Sequence, residues 1–376
     1  MRLAFLTNNV FPPREGIARH VFEVAQRLQQ RGHEVTVLAR GRSFARWRVS
    51  SVAGLRVRHY PHYPLQPFHH ALAKAEFARW LRAGADGADL LHVHLPLLPP
   101  LPTALPIVAT FHSPMLADTG AIAETGLRPA LIKANALLFS RRYEQWYLDH
   151  ARTVVTVSGA VRTELEGAYS LSGRRPTVVP NGVDAGFFGF ASLKGRGPGI
   201  LYVGRLGYRK GLFRLLDAFA RLPADLGREL ILAGEGPLEN ALRRRAAALG
   251  IAGRVRFAGF LDRMGVRSEL RDAACFVNPA DYETGPLTVL EAMACGTPVV
   301  TTHTGLAIEM GSRPPLYLAR SDSQALATAL IAVLRDPDFA ALRAREARTL
   351  VATRFDWEHM VDRLEGIYGL RREQAA

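Results

Sequence analysis

Two glutamates, Glu283 and Glu291, stand with seven residues between them in "DYETGPLTVLEAMACGTPVV" (Asp281–Val300), and a Gly285-Pro286 pair lies in the gap. Glycine is accepted at a helix cap and proline at the first helical position, so the stretch predicts Gly285 as the cap and Pro286 as the first residue of a helix. The N–H groups of Leu287 and Thr288 then have no carbonyl one turn back. That end of the helix carries about half a positive charge and suits a phosphate. Glu291 falls one turn on, on the face of Leu287 and Thr288, while Glu283 projects from the loop before the cap. Two acceptors flanking an anion site can hold hydroxyls at both ends of a molecule whose middle is a diphosphate. A nucleotide sugar has that layout: ribose, diphosphate, hexose. The plainer reading, a solvated helix residue and a loop charge, fits this stretch equally well.

"VGRLGYRKG" (Val203–Gly211) tips the choice. A strand ends at Val203, Gly204 lets the backbone turn, and Arg205 and Lys210 follow before the next helix. Two cations at the carboxyl end of a strand can neutralise a diphosphate, whose charge grows as a glycosidic bond breaks. Taken alone, an arginine and a lysine in a loop are ordinary surface residues.

These groups need elements to hold them. A chain of 376 residues is too long for one ordinary core and favours two domains. "MRLAFLTNNVFPPREGIARHVFEVAQRLQQRGHEVTVLAR" reads as strand, loop, helix, strand: Leu3–Leu6 are apolar, Pro12-Pro13 breaks the run, and Val21, Val24, Ala25 and Leu28 share a helical face. This is a βαβ unit of a parallel sheet. Further strands are expected at "LRVRHY", "DLLHVH", "PIVATFH", "TVVTVS" and "RPTVVP". The pattern restarts with "PGILYVGRL" as strand and "GLFRLLDAFARLP" as helix, then "ELILAGEGP", "RVRFAGF", "CFVNPA" and "TPVVTT". The glycine-rich "NGVDAGFFGFASLKGRGPG" (Asn181–Gly199) marks the boundary. The alternation predicts two α/β domains facing across a cleft, with ligands at the carboxyl ends of strands.

At this point the resemblance becomes specific. "VGRLGYRKG", "AGEGP", "RVRFAGF" and "ETGPLTVLEAMACGTPVV", in that order, resemble the C-terminal half of a family 4 glycosyltransferase of the GT-B fold, retaining and of the E-x7-E type. "DLLHVHLP", "TVVTVSGAVR", "VPNGVD" and "FDWEHMVDRLEGIY" are similar to the same family, so the resemblance covers nearly the whole chain. It implies two Rossmann-like domains facing across a central cleft. Residues 1–185 would bind the acceptor, 186–355 the nucleotide sugar, and 356–376 would form a helix crossing back to the first domain. It also implies that Glu283 hydrogen-bonds the hexose, Glu291 the ribose, and Arg205 and Lys210 the diphosphate, helped by amides around Gly285, Leu287 and Thr288. His112 in "ATFHSP" matches the histidine placed against the transferred sugar, and Gly16, in the first loop, the glycine that lets backbone approach the phosphates. Two positions depart from the family pattern. Glu15-Gly16 replaces a glycine pair, and "HTGLAIEMG" carries Thr304-Gly305 and Glu309 in place of Gly-Gly-x-x-Glu.

The activity implied is a retaining hexosyl transfer from a nucleotide-diphosphate sugar to an acceptor hydroxyl on a glycan, lipid or small molecule. A sugar-nucleotide epimerase or phosphorylase of the same fold is the alternative. The sugar nucleotide is a co-substrate, and no cofactor is expected. The only Asp-x-Asp, Asp336–Asp338, reads as a proline-stiffened capping turn, so no essential metal is expected. His92 and His94 put two imidazoles on one strand face, but the sequence offers no third ligand. Cys275 and Cys295 read as small buried hydrophobes in a reducing cytosol, and Ser158 lacks a nucleophile-elbow context.

The net charge is +14, and residues 1–185 hold 22 Lys/Arg against 13 Asp/Glu. Nine basic residues and one acid, Glu76, fall within Arg40–Arg82, interleaved with Trp47, Tyr60, Tyr63, Phe68, Phe77 and Trp80. Solvated faces and an anionic surface, either phospholipid headgroups or nucleic acid, both explain this. "GLRPALIKANALLFSRRYEQWYLDHA" (Gly126–Ala151) offers Leu131, Leu138, Phe139 and Trp146 beside Lys133, Arg141 and Arg142, either as helix–helix core or as a membrane face. No nucleic-acid partner is expected, since no ribonucleoprotein motif, zinc-finger spacing or recognition helix accompanies the charge. No apolar run of about 18 residues appears. The expectation is a soluble, unprocessed cytoplasmic protein, with a peripheral position on the inner face of the cell membrane as the open alternative.

Overall fold

Fully buried strands are apolar on both faces, and that is how the first sheet begins. In β1 (Arg2–Thr7) every residue after Arg2 is buried. The computed structural model describes residues 1–41, 46–62, 69–123, 125–226, 228–311 and 313–369. Contacts divide the chain into two units, one built on Met1–Gly120, Thr125–Asn181 and the helix Trp357–Tyr368, the other on Gly182–Asp356.

The first unit continues with β2 (Glu34–Arg40), β3 (Arg48–Val52), β4 (Leu55–Tyr60), β5 (Leu90–Leu95), β6 (Ile107–Phe111), β7 (Thr153–Thr156) and β8 (Thr177–Val178). Among the described residues they form one sheet in the order β3-β4-β2-β1-β5-β6-β7-β8. All neighbours are parallel except β3 and β4. The chain winds outward from β1, then returns to lay β5 on its other side. That reversal opens a crevice at the carboxyl ends of β1 and β5.

Helix Trp357–Tyr368 belongs to this unit. Trp357, Met360, Val361, Leu364 and Tyr368 recur at helical spacing and are all buried. Its acidic face grips the end of helix Gly16–Gln30: Arg31 pairs with Glu358 at 2.5 Å, Glu365 at 2.6 Å and Asp362 at 2.7 Å.

The described aromatic residues of the basic Arg40–Arg82 stretch pack inward. Tyr60, Phe77 and Trp80 are core residues, and Trp47 donates to Glu76 at 2.8 Å. Arg58 pairs with Asp86 and Arg79 with Glu76. Tyr63 and Phe68 lie outside the described residues. Burial of the aromatic rings is the more favourable use of their area, and Arg58 and Arg79 are taken up by local acids.

The second unit holds β9 (Gly199–Val203), β10 (Glu229–Ala233), β11 (Val255–Gly259), β12 (Cys275–Asn278), β13 (Val299–Thr302) and β14 (Tyr317–Ala319). They run parallel in the order β11-β10-β9-β12-β13-β14, so here the reversal falls between β9 and β12. Both cysteines are buried and unbridged. Arg196 pins the linker to the sheet's flank, donating to the carbonyls of Ala191, Leu270, Ala273 and Cys295 at 2.7–3.1 Å. Asp336 caps helix Pro337–Arg354 by accepting from Phe339 N–H. Strands β3 and β14 were not expected from the sequence. β3 is almost wholly exposed and β14 only three residues long, so neither carries an apolar run.

One buried carboxyl in the first unit makes a pH prediction. Glu144 accepts from Met115 N–H at 3.1 Å and from the Tyr169 hydroxyl. Burial, opposed by those two bonds, pushes its pKa up to about 7. A raised carboxyl favours the fold fully below its unfolded value and loses that contribution as pH rises through about 7. Relative to Glu144→Gln, the native chain should therefore lose about 2 kcal/mol of stability between pH 5 and pH 8. Thermal melts of both proteins at the two pH values check this, and parallel pH dependence would dismiss it.

Candidate active site

The β9–β12 reversal places two loops side by side at the strand carboxyl ends, and their backbones touch. After β9 the chain turns at Gly204 over Tyr202, whose hydroxyl donates to Arg205 O at 3.0 Å. Gly211 has φ +64°, and a Cβ there would stand 2.0 Å from the Pro279 carbonyl. Only glycine allows both the left-handed turn and that approach. Across the gap, Asp281 N–H donates to Arg209 O at 2.8 Å. Arg214 donates to Pro279 O at 3.0 Å and pairs with Asp281 at 2.5 Å. These contacts fix the two loops together and set Lys210 against Glu283 as an ion pair, both side chains half-buried.

A third loop supports the carboxylate from behind. Gly305, φ +50°, packs so closely that a Cβ would lie 2.2 Å from the Glu283 carbonyl. The acidic loop then enters helix Leu287–Ala294, which buries Val289, Leu290, Ala292 and Met293 and leaves Glu291 half-buried in its second turn. Its cap is Pro286, not Gly285. Pro286 has φ −68° but an extended ψ of 112°, so the helix starts one residue later than the Gly-Pro signal predicts. The shift leaves Leu287 and Thr288 as the first two helical residues, whose N–H groups have no intrahelical acceptor. Arg205 is exposed in the loop that also carries Lys210. Of the residues expected in this unit, the structure joins Lys210 and Glu283 directly and sets Arg205, Gly285, Leu287, Thr288 and Glu291 on the two loops and the helix that meet there.

His112 and Gly16 lie in the first unit. Gly16 is the first residue of its helix and not a loop residue, and a Cβ on it would meet nothing within 4 Å. One turn later on the same helix, His20 is buried, and its Nδ1 lies 2.8 Å from Asn181 Oδ1. His112, just past β6, has Nε2 3.2 Å from His94 Nδ1 at the end of β5. His20, His94 and His112 each offer a ring nitrogen, all within 4.8 Å of one another. The fold does not complete the "HVH" pair: only His94 of the two joins this cluster, with His20 and His112 as its partners. His92 is occupied elsewhere: its Nε2 lies 2.7 Å from Thr110 Oγ1 and its Nδ1 2.7 Å from the Tyr368 hydroxyl. Burial first, and the neighbouring imidazoles second, hold His94 and His112 well below the usual histidine range. Burial also takes His92 down to about 3 and His20 to about 4. All four rings are neutral at pH 7.

Sequence reasoning missed His20, Tyr202, the Arg214–Asp281 pair and the contact of Gly305 with Glu283. His20 alone had a signal, since it falls on the apolar stripe with Val21, Val24 and Leu28, where a polar residue needs a reason.

Two protein-family models match the chain. One, described as Glycosyltransferase Family 4, matches residues 14–187; the other, Glycosyl transferases group 1, matches 189–350. Glycogen synthase of Mycobacterium tuberculosis is 30% identical over 378 residues, covering 94% of this chain and 90% of that protein. The phosphatidyl-myo-inositol mannosyltransferase of the same organism is 29% identical over 399 residues, covering 98% and 96%. Among solved structures, sucrose-phosphate synthase from Thermosynechococcus elongatus superposes with a TM-score of 0.82 at 21% identity, covering 98% of each chain. Anabaena HepE in complex with UDP gives 0.71 at 19% identity, covering 98% and 100%.

Proposed function

The chain belongs to the group 1, family 4 glycosyltransferases, has their GT-B fold and transfers a sugar from a nucleotide sugar, and on that premise we propose a retaining transfer of a hexosyl unit from a nucleotide-diphosphate sugar to an acceptor hydroxyl. One observation carries the reading: Lys210 and Glu283 meet at the carboxyl ends of β9 and β12, the reversal point where α/β sheets bind ligands. Lys210 and Arg205, with the N–H groups of Leu287 and Thr288, stabilise the departing diphosphate. Glu283 accepts from the hexose hydroxyls and Glu291 from the ribose. His112 takes the sugar-facing role that the family resemblance implies. As the glycosidic bond breaks, an oxocarbenium-like centre forms. A phosphate oxygen of the leaving group takes the acceptor's proton, so no separate base is required.

The relatives named for glucan synthesis and mannosyl transfer support a hexose donor. Calorimetry with UDP-, GDP- and ADP-sugars, then acceptor screening with the best binder, tests this. Binding of one class and release of nucleoside diphosphate upon acceptor addition are expected. No heat with any of them, or release of product with no acceptor needed, would count against a transferase and favour an epimerase or phosphorylase.

A separate observation favours a lipid-linked acceptor. Segment 127–150 forms helix Leu127–Asn135, a wide turn at Ala136–Ser140 and helix Arg141–His150. Trp146 packs on the core, but Leu127, Leu131, Leu137 and Leu138 are 78%, 59%, 61% and 59% exposed beside exposed Arg141 and Arg142. Leucines with adjacent arginines fit an anionic lipid surface, the enzyme lying on the membrane as a peripheral protein. No helix among the described residues is long and apolar enough to cross one. Vesicles containing phosphatidylglycerol should retain the enzyme better than phosphatidylcholine alone, and Leu131→Ser with Leu138→Ser should weaken retention roughly tenfold. Equal binding to both vesicles would remove the electrostatic argument.

A further inference from the structure

The histidine cluster of the first unit contains more hydrogen-bonding information than its distances alone. A neutral imidazole has one N–H and one lone pair, so a contact between two rings must run from one as donor to the other as acceptor. His94 Nδ1 and His112 Nε2 are 3.2 Å apart, and each ring is at most 4% exposed. The direction of that bond is decided by the other nitrogen of His94. His94 Nε2 is buried with no hydrogen-bond partner. Were His112 the donor, the His94 proton would sit on Nε2 as an orphaned N–H in the core. Buried orphan donors are rare and costly, whereas an unmatched lone pair is better tolerated. His94 Nδ1–H is therefore the donor and His112 Nε2 the acceptor.

His20 obeys the same rule. Its Nδ1 faces Asn181 Oδ1 at 2.8 Å and its Nε2 is buried and unmatched, so the proton is on Nδ1. Its ring meets those of His112 and His94 edge-on, at centroid separations of 4.7 and 5.4 Å, and wedges the pair in place. Burial keeps His94 and His112 uncharged at neutral pH, so the one-proton count holds. A dication at the three nitrogens is the competing use of these lone pairs, since neutral imidazoles are ordinary metal ligands, and it would take up the lone pairs that the hydrogen bond needs.

We infer that His94 is a positioning residue that locks His112 in the Nδ1–H tautomer, so that His112 offers a neutral N–H donor on the nitrogen facing away from His94. Resting on the reading that His112 meets the transferred sugar, the lock makes His112 a hydrogen-bond donor to a sugar oxygen and removes it as a general base. That agrees with a transfer in which the leaving phosphate takes the acceptor's proton.

The test is the tautomer itself. Full-length protein labelled with 15N-histidine is observed by long-range proton–nitrogen correlation at pH 7, with ring signals assigned through His20→Gln, His94→Gln and His112→Asn. His112 is expected as Nδ1–H. His94→Leu removes the donor that biases His112 toward Nδ1–H, so it should raise the Nε2–H share and lower kcat up to roughly tenfold, the size of one neutral hydrogen bond, with the donor KM little changed. In His94→Gln a side-chain amide N–H can donate to the same nitrogen and should restore the Nδ1–H signal and most of the turnover. His112 found as Nε2–H in the native protein would overturn the inference. So would a tautomer unmoved by His94→Leu, or stoichiometric zinc by elemental analysis with metal-shifted ring signals. If His94→Leu does not fold, the native and His94→Gln spectra still decide. Absence of transfer with every donor would fail the sugar-transfer reading and leave the tautomer result standing.

Discussion

Lys210→Ala is expected to lower sugar transfer by about 10²–10³-fold, the range for losing one pre-oriented group that stabilises a developing negative charge. The ammonium is held by Glu283 at the strand-reversal point and does not wave in solvent. In the proposed reaction it stabilises the diphosphate most when the glycosidic bond is nearly broken, so the loss falls mainly on kcat. Glu283→Gln keeps hydrogen-bonding capacity but loses the charge that orients Lys210, and a loss of similar size is expected. A structural ion pair would behave differently. In the double variant Lys210→Ala with Glu283→Gln, removal of both charges would relieve the stranded partner and recover most of the activity. Partly exposed pairs contribute only about 1 kcal/mol, so melting temperatures should shift little. Full turnover in both single variants would reject the assignment, and recovery in the double variant would reduce the pair to scaffolding.

Gly305→Ala is expected to cost about 10²-fold in transfer without direct loss of any charged group. Its methyl would stand 2.2 Å from the Glu283 carbonyl oxygen and 3.0 Å from the Thr284 carbonyl carbon. Those atoms are backbone and cannot swing aside, so the loop carrying Glu283 must move, and a shift of about 1 Å at a reacting group can cost that much. Gly305 also combines φ +50° with ψ −122°, a region essentially reserved for glycine, which adds about 1–3 kcal/mol of strain. Gly250→Ala is the control. It has φ +70°, but a Cβ there meets nothing within 4 Å. The control should lose about 1 kcal/mol of stability from its positive φ and keep its activity. Equal activity in both variants would show that the Gly305 contact does not position Glu283.

The departure from the family's glycine pair at Thr304-Gly305 gains a meaning from this contact. The glycine that meets the Glu283 backbone is the one retained. Nothing in the sequence reveals that, because the two residues are 22 positions apart and joined by a helix and a strand.

By itself the sequence determined the local parts of this protein. Apolar runs of four to six residues announced buried parallel strands, helical spacing announced the helices between them, and glycine-bearing ends such as "VGRLGYRKG" placed cations just past a strand. These signals are local because pleat, helical period and turn sterics act over a few residues. Tertiary structure decided which loops became neighbours. Lys210 reaches Glu283 only because β12 packs on the free side of β9 after β11 has taken the opposite edge. His94 reaches His112 because β5 and β6 run parallel in register, with His94 opposite Thr110, and His20 joins them from a helix. Packing likewise drew Tyr60, Phe77 and Trp80 inward from a stretch whose charge alone allowed a surface, and moved the helix start past Pro286. Strand order and ring burial follow from covering both faces of a sheet at once. That condition involves the whole unit, and no short window of residues carries it.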